Sequence, residues 1–151
     1  MTQQRVKFVA GSKLINPGFG HLDGVGSDAR FYLLNGVAVD SNGHVYIADT
    51  GNHTIRKVTS SGVVTTFAGA AILGVTEFLQ SPESVAVDSA NFLYVADTAN
   101  NMIRKISPSG VISTLAGAKN SGSTNGTGSA ARFNSPSGVA VDSSGNVYVA
   151  D

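Results

Sequence analysis

His21, His44 and His53, with the aspartates Asp49, Asp97 and Asp151 and the arginines Arg56 and Arg104, are the residues of this chain best suited to chemistry. A zinc centre needs three or four ligands at tetrahedral geometry. His44 follows one tight turn and His53 lies in the next, on opposite ends of a strand, so one chain does not bring both to a metal. A serine nucleophile needs a base and a shaped turn, and no G-x-S-x-G word occurs. The glycine-rich stretch "GSTNGTGSAAR" (122–132) lacks the lysine of a phosphate loop and precedes no helical pattern, so it reads as a linker. There is no cysteine, hence no thiolate and no disulfide framework. These residues imply no catalytic set, no cofactor and no resident metal.

The aspartates and arginines recur at fixed places, which points to the elements that position them. "GVAVD" at 36–40 returns as "SVAVD" at 84–88 and "GVAVD" at 138–142. "IRK" at 55–57 returns at 103–105, and "FAGA" at 67–70 returns as "LAGA" at 115–118. A period near fifty residues made of short β words indicates a propeller rather than a helical solenoid. Each unit reads as four antiparallel strands, a to d, bounded by turn residues. Strand a is 36–40, 84–88 and 138–142; b is 44–48, 92–96 and 146–150; c is 54–58 and 102–106; d is 63–68 and 111–116, with 6–10 as a lone first copy. Gly43 and Gly145 supply the left-handed residue of the a–b hairpin, and Asn91 takes that place in the middle copy.

The chain is therefore expected to be all-β and a single partial propeller domain over 1–151: strand 6–10, blades 36–68 and 84–116, and an incomplete blade 138–151. About three blades do not close a ring of four to eight. Two chains joined into six blades is the economical solution, so the first expected partner is a second copy; a piece of a longer tandem array is the alternative.

"GVAVDSNGHVYIADTGNHTIRKV" (36–58) and the linkers "DGVGSDARFYLLNGVAVD" (23–40) and "NGTGSAARFNSPSGVAVD" (125–142) resemble the NHL-repeat family of β-propellers. The middle copy departs from the pattern, with Ala99 for Gly51, Asn101 for His53, and a shorter linker at 70–83. The resemblance implies fold more than task, because propellers host unrelated functions. Two relatives in function suggest themselves: metal-dependent lyases of the peptidyl-hydroxyglycine amidating type, which need histidines around the channel, and the RNA-binding NHL domains of tripartite-motif proteins, which use a basic face. Three histidines and a net charge of zero supply neither.

In a blade the b–c turns and d–a linkers share one end. They carry the variation, so the interaction face belongs there. Its candidates are Asp49, Thr50, Asn52 and His53, their counterparts Asp97, Thr98, Asn100 and Asn101, and Arg30 and Arg132 in matching linkers. The competing structural reading makes Asp49 and Asp97 caps of their own turns, accepting an N–H two residues on. Arg56 and Arg104 then bridge to a repeat aspartate, and Arg30 and Arg132 tie linker to blade. A binding or scaffold module for a protein, peptide or glycan fits these features, with no nucleic acid or membrane expected; a fragment of a larger metal-dependent lyase or hydrolase is the alternative. "MTQQRVKF" has no apolar leader core and no run reaches membrane-span length, so the cytoplasm is the default compartment.

Overall fold

The computed structural model describes residue 10 and residues 20–69 and 78–151. The expected strand at 6–10 lies outside them except for Ala10, as do parts of the first two linkers.

The strands, in chain order, are β1 (Gly24–Val25), β2 (Leu34–Val39), β3 (Val45–Asp49), β4 (Thr54–Val58), β5 (Val63–Ala68), β6 (Pro82–Val87), β7 (Leu93–Asp97), β8 (Met102–Ile106), β9 (Ile112–Gly117), β10 (Gly138–Val141) and β11 (Val147–Ala150). They form three antiparallel sheets with orders β1-β5-β4-β3-β2, β6-β7-β8-β9 and β10-β11. These are the blades, and β2, β6 and β10 lie side by side as their inner strands. The first blade has five strands rather than four. Gly24–Val25 of the linker pairs with Val63–Val64 on the outer edge of β5, and a two-residue Gly-Val segment carries no alternation that would announce a strand.

The hairpins form for the expected reason. Gly43, Asn91 and Gly145 have φ of 78°, 65° and 84°, the left-handed region where Gly and then Asn are least strained. A carboxylate fastens each hairpin. Asp40 Oδ1 accepts the N–H groups of Asn42 and His44 at 2.9 Å; Asp88 and Asp142 do the same with Ala90 and Phe92, and with Ser144 and Asn146. The other oxygen takes the hydroxyl of the strand-b tyrosine: Tyr46 at 3.4 Å, Tyr94 at 3.0 Å and Tyr148 at 3.1 Å. The Asx turns thus belong to Asp40, Asp88 and Asp142, not to Asp49 and Asp97.

Alternation along each strand divides its side chains between the two neighbouring blades. Tyr46, Ala48 and Ile55 of the first blade pack with Val85, Leu93, Val95 and Ile106 of the second, together with Leu79. On the other side of the first blade, Val58 and Val64 pack under Ala29, with Phe31, Val45 and Ile47 around them. The 23–31 linker therefore lies over one face of its own blade. Gly36 is needed where β2 crosses β6: a Cβ there would stand 2.7 Å from the Ser84 Cα.

Candidate functional site

The repeated b–c turn gathers most of the candidate residues. After Asp49 the chain makes a 3₁₀ turn over Thr50–Asn52 and leaves it through His53 at φ 59°; Asp97, Thr98–Asn100 and Asn101 at φ 54° repeat it. Positive φ at the exit explains His and Asn there rather than a β-branched residue.

Asp49 is fully buried. Its Oδ1 accepts the backbone N–H of Tyr32 at 2.8 Å, and its Oδ2 accepts the Asn52 amide and Arg56 Nη1, both at 2.9 Å. Arg56, also fully buried, completes the cluster. It donates to the carbonyls of Arg30 and Leu22 at 2.9 Å and to Asp23 Oδ1 at 2.7 Å, and its guanidinium carbon sits 5.0 Å from the centre of the Phe31 ring. A buried carboxylate is tolerable only when it is paired and hydrogen-bonded, and here every oxygen is engaged. Burial raises the Asp23 carboxyl, but hydrogen bonds from Thr66 and then from Arg56 outweigh it and hold the group below the usual carboxylate value.

The second blade repeats the aspartate–asparagine part of the arrangement and holds its arginine differently. Asp97 accepts the Gln80 N–H at 2.7 Å and the Asn100 amide at 2.9 Å, and Arg104 Nε stands 3.7 Å from Asp97. Arg104 Nη1 donates to Thr114 Oγ1 at 2.6 Å. In the third blade Asp151 Oδ1 accepts the Asn134 N–H at 2.6 Å.

Thr50, Thr98, His53 and Asn101 tie each blade to the segment leading into the next. Thr50 donates to the Pro82 carbonyl at 2.6 Å and Thr98 to the Pro136 carbonyl at 2.8 Å. His53 Nδ1 accepts the Ser81 N–H at 2.9 Å; Asn101 Oδ1 accepts the Ser135 N–H at the same distance. Asn52 also reaches the Gly20 carbonyl at 2.8 Å. Arg30 and Arg132 close the turns of their own linkers, Arg30 on the carbonyls of Ser27, Asp28 and Ala29, and Arg132 on those of Ser129 and Ala131. Lys57 and Lys105, on the opposite face from the arginines, lie over the rings of Tyr46 and Phe67 and of Phe92 and Tyr94. These bonds make the turns the rivets of the blade stack.

The histidines stay apart: His44 Nδ1 lies 2.9 Å from Asp40, His53 is on the first seam, and His21 Nε2 is 2.7 Å from Thr66 Oγ1. Among the described residues no three His, Asp or Glu side chains converge as metal ligands, and no helix is long and apolar enough to cross a membrane. The sequence did not single out the tyrosine that closes each hairpin, although its place six residues after Asp40, Asp88 and Asp142 is constant.

Blades of antiparallel strands, stacked about their inner strands and riveted by Asp–Arg turns, define a β-propeller. The NHL-repeat model matches residues 31–58, 79–106 and 133–151, one match per blade. The chain belongs to the NHL-repeat β-propellers. It is 47% identical over 60 residues to NHL repeat-containing protein 2 of Gallus gallus, a stretch covering 39% of this chain and 8% of that protein. A structural-genomics protein of unknown function from Bacteroides thetaiotaomicron superposes over 99% of this chain and 38% of its own, with TM-score 0.70 and 22% identity. Virginiamycin B lyase from Staphylococcus aureus superposes over 91% of this chain and 36% of its own, with TM-score 0.57 and 15% identity. At these identities the structural likenesses show the fold alone. This chain spans less than two-fifths of each relative's length.

Proposed function

We propose that the chain is a non-enzymatic NHL-type binding and scaffold module whose blades close into a ring with those of a second copy. The observation that carries the closure is a pair of complementary open faces. Val85 is 5% exposed against the first blade, whereas Val37, its counterpart on β2, is 61% exposed. Tyr46 is 3% exposed against the second blade, whereas Tyr148 on β11 is 59% exposed. Val37 and Val39 thus reproduce the surface that the first blade receives, and Gly138, Ala140, Tyr148 and Ala150 reproduce the surface that receives it. A hollow of about 380 Å³ is lined by those four residues with Ser84, Val139 and Val149. Exposed apolar area of this kind marks an interface. Two copies joined head to tail at both ends satisfy it with twofold symmetry.

On this reading the linker end of the ring is the interaction face. Tyr32 and Leu33 in the first linker, Leu34 at the start of β2 and Phe78 in the second linker are exposed there, beside turns whose polar groups hold the scaffold. Exposed aromatic and aliphatic side chains on rigid supports favour a protein or peptide partner. Sedimentation equilibrium tests the closure. The wild-type chain is expected at twice its 15.4 kDa mass, and Val37→Asp at the monomer mass with unchanged circular dichroism. A folded wild-type chain that stays monomeric at micromolar concentration overturns it.

A further inference from the structure

We infer that His53 is a pH-sensitive latch on the seam between the first and second blades, closed by the neutral ring and opened when the ring takes a second proton. Both halves of the latch belong to one chain and lie between its two full blades, so it does not depend on ring closure.

The latch holds a strained piece of backbone. Leu33, Ser81 and Ser135 stand at the same step of their linkers, each one residue after the N–H donor to the blade aspartate, and have φ of 51°, 50° and 58°. Left-handed backbone is uncommon for such residues. Ser81 and Ser135 are strained further because each precedes a proline, Pro82 and Pro136, which drives its neighbour towards extended backbone. Conformations of this kind persist only where the surroundings over-determine them. Around Ser81 the second blade holds Gln80, whose N–H goes to Asp97 at 2.7 Å and whose carbonyl takes the Ala99 N–H at 3.1 Å. The first blade holds the next two residues. His53 Nδ1 accepts the Ser81 N–H at 2.9 Å, and Thr50 Oγ1 donates to the Pro82 carbonyl at 2.6 Å.

Of these bonds only the one to His53 responds to pH near neutrality. A neutral imidazole has one N–H and one lone pair. Nδ1 gives its lone pair to Ser81, so the proton is on Nε2. A second proton makes Nδ1 a donor facing a donor, and the bond is lost. The ring is exposed, so protons reach it. The charged groups on the segments around it are Asp49 and Arg56 of its own hairpin, Asp23 and Arg30 of the first linker, Asp97, and Glu83 two residues beyond Ser81. Asp49 and Asp23 are paired with Arg56, Arg30 closes its own linker turn, and Asp97 holds Gln80. Among the described residues no carboxylate pairs with His53, so a second proton gains no ion pair in exchange for the bond it removes. The second seam shows the same latch without the titration. Asn101 Oδ1 accepts the Ser135 N–H at 2.9 Å, and Thr98 donates to the Pro136 carbonyl. His53 and Asn101 share the left-handed backbone, at φ 59° and 54°, and differ in chemistry alone. Acid therefore loosens the linker end at the first seam, beside exposed Phe78, and leaves the second seam closed.

Amide hydrogen exchange on the full chain, read residue by residue by NMR and normalised to the intrinsic rate at each pH, tests the latch. Between about pH 8 and about pH 5, where histidine titrates, protection at Ser81 is expected to fall about fivefold, the loss of one hydrogen bond, while protection at Ser135 stays level. His53→Asn, which copies Asn101, should keep Ser81 protected across the range. His53→Ala should leave Ser81 weakly protected throughout. Equal protection of Ser81 at both ends of the range in the wild type, or a fall that persists in His53→Asn, overturns the latch. A matching fall at Ser135 also overturns it, because the loosening would then be general rather than set by His53.

Discussion

Replacing Arg56 by methionine removes the side chain that the first blade is built around, and the structure sets the size of the loss. The guanidinium is fully buried and makes four hydrogen bonds of 2.7 to 2.9 Å, two of them to carboxylates. Methionine fills much of the volume but satisfies none of those acceptors. Asp49, also fully buried, keeps only the Tyr32 N–H and the Asn52 amide. Breaking a buried pair from one side costs about 3–5 kcal/mol, because a buried charge is left uncompensated. In a domain of this size each kcal/mol moves the melting midpoint by about 2–4 °C. Arg56→Met should therefore melt roughly 6–20 °C below the wild type. Urea unfolding followed by circular dichroism gives the free energy directly. The double variant Asp49→Asn, Arg56→Met should recover part of the loss, since it removes the stranded charge. A single-variant loss under about 1 kcal/mol, the range of an exposed ion pair, would refute the assignment of Arg56 as a buried rivet.

Further outcomes follow from other contacts. Gly51→Ala should destabilise by about 1–3 kcal/mol, since its Cβ would stand 2.2 Å from Tyr32 Cδ1 and 2.8 Å from Cγ; adding Tyr32→Gln, which copies the Gln80–Ala99 pair, should restore most of that in the same denaturation assay. Thr50→Val should cost about 0.5–1.5 kcal/mol and speed amide exchange in Pro82–Val87, because the 2.6 Å bond to the Pro82 carbonyl is lost. The Asp40 carboxyl is raised by burial but lowered more by its bonds from His44 and Asn42, so its folded value lies below 3.8. A lowered carboxyl contributes stability that is present above pH 3.8 and is lost as the pH falls through the folded value. Asp40→Asn should accordingly flatten the acid limb of a stability-against-pH profile.

Much of this architecture is legible in the sequence because turn chemistry brackets the strands. Strands c and d, read at 54–58, 102–106 and 63–68, coincide with Thr54–Val58, Met102–Ile106 and Val63–Ala68. Strand a begins two residues earlier than its apolar word, at Leu34 and Pro82, because an irregular pairing step precedes Val37 and Ser84. The expected bridge between the repeat arginine and an aspartate is present in both full blades, within the blade. The true partner of Asp49 was not legible. Its N–H donor lies seventeen residues upstream, at Tyr32, and the same separation recurs for Gln80 with Asp97 and Asn134 with Asp151. The bond is made by backbone, so the donor's side chain is free to vary and leaves no word to find.

Small-angle X-ray scattering on an absolute scale tests the closure of the propeller most directly, because it reads mass and shape from one sample. A compact ring at twice the 15.4 kDa chain mass is the expected result. An open three-blade wedge at the mass of a single chain, unchanged as concentration rises, would contradict it.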